Sequence, residues 1–130
     1  MASRLISDLA TPVRNACIEL CAQANAEGID VLVYCTLRSL DEQAKLYASG
    51  RTAPGAIVTN AKPGHSLHNP DEHGRAWAFD AVPMFSGKPH WNNVELLNRM
   101  GAIGESCGLV WAGRWRGNLR ERVHFQISRG

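Results

Sequence analysis

The sequence has no long hydrophobic run, and this absence argues against a membrane-spanning helix. No stretch of the 130 residues approaches the roughly 20 apolar residues that cross a bilayer. The first residues reach Asp8 before the apolar core of a secretory signal could form, so we expect no signal peptide. The net charge of +2 falls far short of the basic surface of a nucleic-acid-binding protein. We therefore expect neither membrane insertion nor a nucleic-acid partner.

The cysteine spacing of a disulfide scaffold or a zinc finger is also missing. Cys17, Cys21, Cys35 and Cys107 form no CxxC pair and lie within apolar segments. Cysteines in that setting are typically small buried hydrophobes in a reducing compartment. The chain also lacks repeats and low-complexity linkers, and 45% of its residues are hydrophobic. We expect one domain over residues 1–130 and a monomer.

Apolar residues at helical spacing predict three main helices. Each begins with a residue type that favours helix starts, and each is followed by a glycine that favours its end. The pattern is most complete in the second, where Ser39 and Glu42 match a capping box. The predicted starts and closing glycines are Thr11 and Gly28, Ser39 and Gly50, and Asn93 and Gly108.

Short runs of β-branched and aromatic residues predict strands at 29–35, 76–82, 109–111 and 123–127. Asp80 is expected near the end of the second strand, and alternation places His124 and Gln126 on one face of the last. Residues 51–75 show little periodicity and predict a long loop, which is a frequent location for function. The expected fold class is α+β, with helices packed on a small antiparallel sheet.

Two imidazoles and two carboxylates lie in motifs that suit a catalytic zinc ion. Such an ion takes three protein ligands and keeps a fourth position for water. It lowers the pKa of that water toward ~7, and a nearby glutamate can then take the proton. Neither HExxH nor HxxEH occurs, which excludes a thermolysin-like site. The ligand candidates are His68, Asp80 and His124, and the candidate proton acceptor is Glu121.

The order of these motifs resembles the zinc D-Ala-D-Ala carboxypeptidase and L-Ala-D-Glu endopeptidase family, the VanX/VanY-like or LAS peptidases. That family has an arginine after a central strand, an S-x-H motif leading to A-x-D, and a final acid-x-x-H. The likeness runs from about residue 9 to 127 and is nearest to bacteriophage endolysins. The matching segments are Leu37-Arg38-Ser39 with Glu42-Gln43, Ser66-x-His68 with Ala78-x-Asp80, and Glu121-x-x-His124.

The resemblance implies that His68, Asp80 and His124 bind Zn²⁺. It also implies that Glu121 is the general base and later the acid for the leaving amine. Arg38 would hold substrate or stabilise the oxyanion, which suits a fixed guanidinium. Each role has an alternative from the residues alone. Arg38 could form only a salt bridge at the sheet, and Glu121 could be only a surface acid.

Several further residues leave choices open. Ser66 is expected to position the metal loop or contact substrate, and Trp111 to bind substrate, with packing as its alternative. The interval of twelve positions from His68 to Asp80 is longer than the family's usual spacing. His73 is therefore a rival first ligand. Near the tryptophan-glycine loop the family often has an acid, whereas this chain has Arg114.

The function that the resemblance implies is hydrolysis of the L-alanyl–D-glutamate bond in bacterial peptidoglycan by a phage or prophage endolysin. We expect such an enzyme to stay in the host cytoplasm until a membrane pore releases it to the wall. The alternative within the family is a D-Ala-D-Ala carboxypeptidase or dipeptidase. The alternative outside enzymes is a non-catalytic wall-binding module, although such a module would not need the acid-x-x-H motif.

Overall fold

A five-stranded antiparallel sheet is the centre of the fold, seen in a computed structural model that describes residues 2–129. The strands are β1 (Asp30–Cys35), β2 (Ala78–Phe85), β3 (Lys88–Pro89), β4 (Val110–Trp111) and β5 (His124–Gln126). They lie in the order β1-β2-β5-β4, and β3 pairs with β2 through a tight hairpin. The α+β class and the antiparallel sheet expected from the sequence are confirmed.

Three α-helices follow the predicted order: α1 (Thr11–Ala26), α2 (Leu40–Ala48) and α3 (Val94–Ser106). Helices α1 and α3 pack against each other and against the sheet, where they enclose the hydrophobic core. The predicted caps hold for two of them. Ser39 Oγ accepts a hydrogen bond from the N–H of Glu42 at 3.1 Å, and Asn93 Oδ1 accepts one from Leu96 at 3.1 Å. These bonds satisfy backbone donors that a helix start leaves free.

Strand alternation gives the sheet two different faces. Phe79, Ala81 and Phe125 belong to the core beneath α1 and α3. Asp80 and His124 are directly paired on neighbouring strands, and they project from the opposite face. One face of the sheet therefore provides the packing that stabilises the domain, while the other remains available for polar chemistry.

Two predictions about element boundaries were wrong. Thr11 is the first residue of α1 and Ala10 is its N-cap, with no side-chain capping bond. Strand β2 continues to Phe85, so Asp80 lies in its first half and not near its end. The strand is longer because β1 and β3 pair with its later residues; Asp30, for example, lies opposite Met84.

The long loop predicted over residues 51–75 is confirmed, since the chain forms turns and bends there but no helix or strand. The cysteines are all free, as expected. Within residues 2–129, no helix combines the length and apolarity that a bilayer crossing requires.

We expect Gly104→Ala to destabilise the protein because α3 approaches the sheet too closely for a side chain at this position. A Cβ on Gly104 would lie 2.4 Å from Cε1 of Phe125, a fully buried ring. Overpacking of this kind costs about 1–3 kcal/mol, against a gain of about 1 kcal/mol in helix propensity. Thermal unfolding should show a lower Tm. Asn98→Ala, on the exposed side of α3, is the control and should leave the Tm nearly unchanged; an equal effect of both changes would contradict this packing argument.

Candidate metal centre

The structure brings His68, Asp80 and His124 together on the face of the sheet that lies opposite the hydrophobic core. Asp80 on β2 is directly opposite His124 on β5, and His68 approaches from the long loop. Asp80 Oδ1 lies 3.2 Å from Nε2 of His68 and 3.1 Å from Nδ1 of His124. The two imidazole rings meet edge to face, with centroids 5.1 Å apart. Three residues far apart in sequence thus share one carboxylate oxygen.

The atoms that face one another are suited to a metal ion. Nδ1 of His68 lies 2.8 Å from the carbonyl oxygen of Thr36, which can only accept a hydrogen bond, so this nitrogen carries a proton. In the neutral ring Nε2 then presents a lone pair to the Asp80 carboxylate, which also only accepts. A proton or a metal cation has to lie between such groups. A backbone carbonyl on the far nitrogen of a histidine is also a common way to orient a metal ligand.

The electrostatics of these residues agree with this geometry. Burial acts to lower the pKa of His68, but hydrogen bonds to Asp80 and Cys35 outweigh it and raise that pKa to about 10. Burial acts to raise the pKa of Asp80, while its hydrogen bonds to His124 and His68 hold it well below the ordinary value. The carboxylate is therefore ionised and surrounded by groups that favour its negative charge.

Cys35 lies beside these residues, which the sequence did not indicate. Its Sγ is 3.7 Å from Nδ1 of His68, and single ligand atoms from Cys35, His68 and Asp80 all lie within 4.8 Å of one another. His124 is not part of that compact group, although it contacts Asp80 directly. Cys35 was expected only to be a small buried hydrophobe, and its side chain is indeed buried.

Arg38 also reaches this cluster. Its Nη2 lies 3.9 Å from Oδ2 of Asp80 and 3.5 Å from Sγ of Cys35, while Nη1 donates to Oε1 of Gln43 at 3.0 Å. Gln43 is fully buried and its amide also donates to the carbonyl oxygen of Ala61 at 2.7 Å. Gln43 therefore fixes the guanidinium beside Asp80. The sequence left open that Arg38 forms only a salt bridge at the sheet. That salt bridge exists, but its partner is Asp80, one of the ligand candidates.

A short turn fixes His68 in place. Ser66 Oγ accepts from the N–H of His68 at 3.1 Å, and the N–H of Arg38 donates to the His68 carbonyl at 2.8 Å. Asn69, almost fully buried, donates from Nδ2 to the Arg38 carbonyl at 3.0 Å. The turn and the segment after β1 are thereby tied together. Asn69 follows the histidine in the quoted motif, but only the tertiary contact reveals its role.

Glu121 lies at the edge of the same site, on the segment before β5. It is exposed, and among residues 2–129 no side chain or backbone group is hydrogen-bonded to its carboxylate. It lines a cleft of about 1030 Å³ together with His68, Asp80 and His124. A free carboxylate near three ligand candidates is suited to moving protons.

The cleft lies between the long loop and the segment that precedes β5. Its walls include exposed apolar side chains and the ring of Trp115. The centroids of the Trp115 and His124 rings lie 5.7 Å apart. Arg38, Ser66 and Glu121 line this cleft. The residues that form the walls around the metal cluster include Tyr34, Ile57, Val58, Trp115 and Leu119.

Two candidates lie elsewhere. Trp111 is only 3% exposed, its Nε1 donates to the Arg122 carbonyl at 2.8 Å, and it packs in the core. The expectation that Trp111 binds substrate is corrected, because its register opposite Phe125 turns it to the core face.

The rival ligand His73 has a side chain that is 78% exposed. Its Nε2 lies 3.6 Å from Oε1 of Glu72, and it is outside the cleft. Asp71 accepts hydrogen bonds from two backbone N–H groups of the loop and from Trp77.

Known proteins resemble this chain in sequence. The family VanY, D-alanyl-D-alanine carboxypeptidase, matches residues 7–119. A relative from Bacillus subtilis (strain 168), peptidoglycan L-alanyl-D-glutamate endopeptidase CwlK, is 36% identical over 129 residues. That alignment covers 93% of this chain and 74% of the relative.

Solved structures share the fold at low sequence identity. The L-Ala D-Glu endopeptidase ChiX of Serratia marcescens is 17% identical, with a TM-score of 0.65, over 98% of this chain and 89% of that one. A mutant of the D,D-pentapeptidase VanY in complex with Zn(II) is 14% identical, with a TM-score of 0.64, over 91% and 71%. The match extends over most of the domain. The chain belongs to the VanY family of zinc metallopeptidases.

Proposed function

We propose that this protein is a zinc-dependent peptidase that hydrolyses the L-alanyl–D-glutamate bond of peptidoglycan stem peptides. One observation carries the proposal: Nε2 of His68 and Nδ1 of His124 both face the same oxygen of Asp80, and the free carboxylate of Glu121 lies in the same cleft. The relative that is 36% identical is named for this bond, which supports the choice of substrate.

The proposed ligands are Nε2 of His68, the carboxylate of Asp80 and Nδ1 of His124. Zinc held there would polarise a carbonyl group and make water a stronger acid. Glu121 would take the proton from the attacking water and deliver it to the leaving amine. Arg38, fixed by Gln43, would face the negative charge that develops on the carbonyl oxygen. Thr36 and the Ser66–Asn69 turn would hold the first ligand in position.

A D-Ala-D-Ala carboxypeptidase is the second candidate, because the matching family carries that description and a VanY structure shares the fold. Digestion of purified peptidoglycan, followed by mass spectrometry of the products, separates the two. New amino-terminal D-glutamate would support the endopeptidase. Free D-alanine would support the carboxypeptidase, and no cleavage of either bond would contradict both.

We further propose that the enzyme lyses cells as a phage or prophage endolysin, held in the host cytoplasm until release. The support is the sequence resemblance to endolysins. Purified protein added to permeabilised Gram-negative cells should cause a fall in turbidity that a Glu121→Gln variant does not cause. Cleavage of isolated peptidoglycan without any lysis of such cells would contradict the lytic role alone.

We expect His68→Ala to abolish zinc binding and His73→Ala to retain about one zinc per chain. The reason is that His68 is buried against Asp80, whereas His73 is exposed outside the cleft. Metal analysis after dialysis measures the zinc content of each variant. Zinc retained by His68→Ala and lost by His73→Ala would show that His73 is the ligand.

We expect Glu121→Gln to keep zinc and fold while losing roughly 10²–10⁴-fold in turnover, the usual contribution of a general acid–base group. Glu72→Gln is the matched control, since Glu72 is an exposed acid of the long loop. Steady-state kinetics on a soluble stem peptide would compare the two. Near-normal turnover of Glu121→Gln would place the proton acceptor elsewhere.

Arg38→Ala should reduce turnover by about 10²-fold or more with unchanged zinc content, because an arginine can stabilise developing negative charge but is no ligand. Arg114→Ala removes a surface arginine paired with Glu105 and serves as the control. Kinetics and thermal unfolding should be measured together. A fall in Tm with normal turnover of the folded enzyme would favour a purely structural ion pair at Arg38.

A further inference from the structure

A β-bulge at Tyr34 shapes the wall of the cleft. In the pairing of β1 with β2, Val33 lies opposite Ala81 and Cys35 lies opposite Asp80, so consecutive residues of β2 face β1 residues two apart. Tyr34 is the extra residue on β1. Bulges of this kind occur next to active sites, where they redirect side chains.

The bulge places two neighbouring side chains on the cleft face. Val33 packs against the core together with Ala81, and Cys35 shares the face of Asp80 because it is paired with it. Tyr34 follows a core-facing residue and so also points away from the core. Without the extra residue, strict alternation could not give both positions to the same face. Tyr34 lines the cleft that contains Arg38 and Glu121.

The ring of Tyr34 is held in place while its hydroxyl is free. Trp91 contacts the ring edge to face, with centroids 5.1 Å apart and planes at 79°. No described residue is hydrogen-bonded to the phenolic hydroxyl, although half-buried tyrosines usually have a partner. A fixed ring that lines the cleft, with a hydroxyl that has no hydrogen-bond partner among the described residues, is the arrangement expected of a group that binds a ligand.

The hydroxyl remains a hydrogen-bond donor at any ordinary pH. Burial, followed by the negative charge of Asp80, raises the pKa of Tyr34 above its usual value. Arg38 acts in the opposite direction but does not outweigh them. The natural partner of such a donor is an acceptor oxygen, and each peptide unit of a substrate supplies one.

We propose that Tyr34 is a substrate-contacting residue whose hydroxyl donates a hydrogen bond to a carbonyl oxygen of the bound peptide. This inference rests on the proposed function, since it takes the cleft as the site of the stem peptide. It adds a substrate contact that belongs to neither the ligand set nor the proton acceptor, and it gives the bulge in β1 a function.

The test replaces only the hydroxyl. Tyr34→Phe keeps the ring and its contact with Trp91, and Tyr47→Phe is the matched control because Tyr47 is on α2, under Arg51 and outside the cleft. Each change is made in the active protein for kinetics. Each is also made in the slow Glu121→Gln background, where isothermal titration with a soluble L-Ala-D-Glu stem peptide measures binding with little turnover.

The lost hydrogen bond should raise the Kd of Tyr34→Phe for the peptide about threefold to tenfold and lower kcat/KM by a similar factor. Zinc content and Tm should stay at the values of the unmodified protein, and Tyr47→Phe should match it throughout. Unchanged Kd and kcat/KM in Tyr34→Phe would overturn the proposal, as would a loss of zinc or of stability that accounts for the whole effect.

Failure of the proposed function gives a different result. If the unmodified protein binds the peptide but does not cleave it, the endopeptidase activity is wrong. Tyr34-dependent binding would then still support the contact. If the protein cleaves the peptide and Tyr34→Phe is indistinguishable from it, only the role of Tyr34 is wrong. A protein that neither binds nor cleaves the peptide overturns both.

Discussion

The arrangement of the site depends on one largely buried carboxylate, Asp80, one oxygen of which faces ring nitrogens of both His68 and His124. An ionised group removed from water without compensation costs on the order of several kcal/mol, so it needs cationic or hydrogen-bonding partners. Hydrogen bonds with His124 and His68 supply that compensation, and Arg38 adds a positive charge nearby. The ionised carboxylate and the two ring nitrogens that face it are donor types that a zinc ion prefers.

The fold meets this constraint by giving the two faces of its sheet different tasks. Helices α1 and α3 cover one face, and α3 comes close enough that its glycines touch aromatic rings of β4 and β5. The other face carries Asp80 and His124 in direct register. The long loop then delivers His68, and contacts from the Ser66–Asn69 turn to Arg38 fix the loop against the segment after β1.

Local signals in the sequence predicted what depends on local chemistry. The caps at Ser39 and Asn93, the long loop and the antiparallel sheet followed from residue type and period. The core position of Trp111 could not be predicted, because it depends on which face its register with Phe125 selects. The places of Cys35 and Tyr34 depend on a bulge that leaves no compositional trace.

The central claim is that one zinc ion binds between His68, Asp80 and His124. Anomalous difference maps from crystals of the zinc-loaded protein, measured on both sides of the zinc absorption edge, test it most directly. We predict a single peak within coordination distance of Nε2 of His68, the Asp80 carboxylate and Nδ1 of His124. A peak that contacts Cys35 in place of His124, or one at His73, would contradict the account.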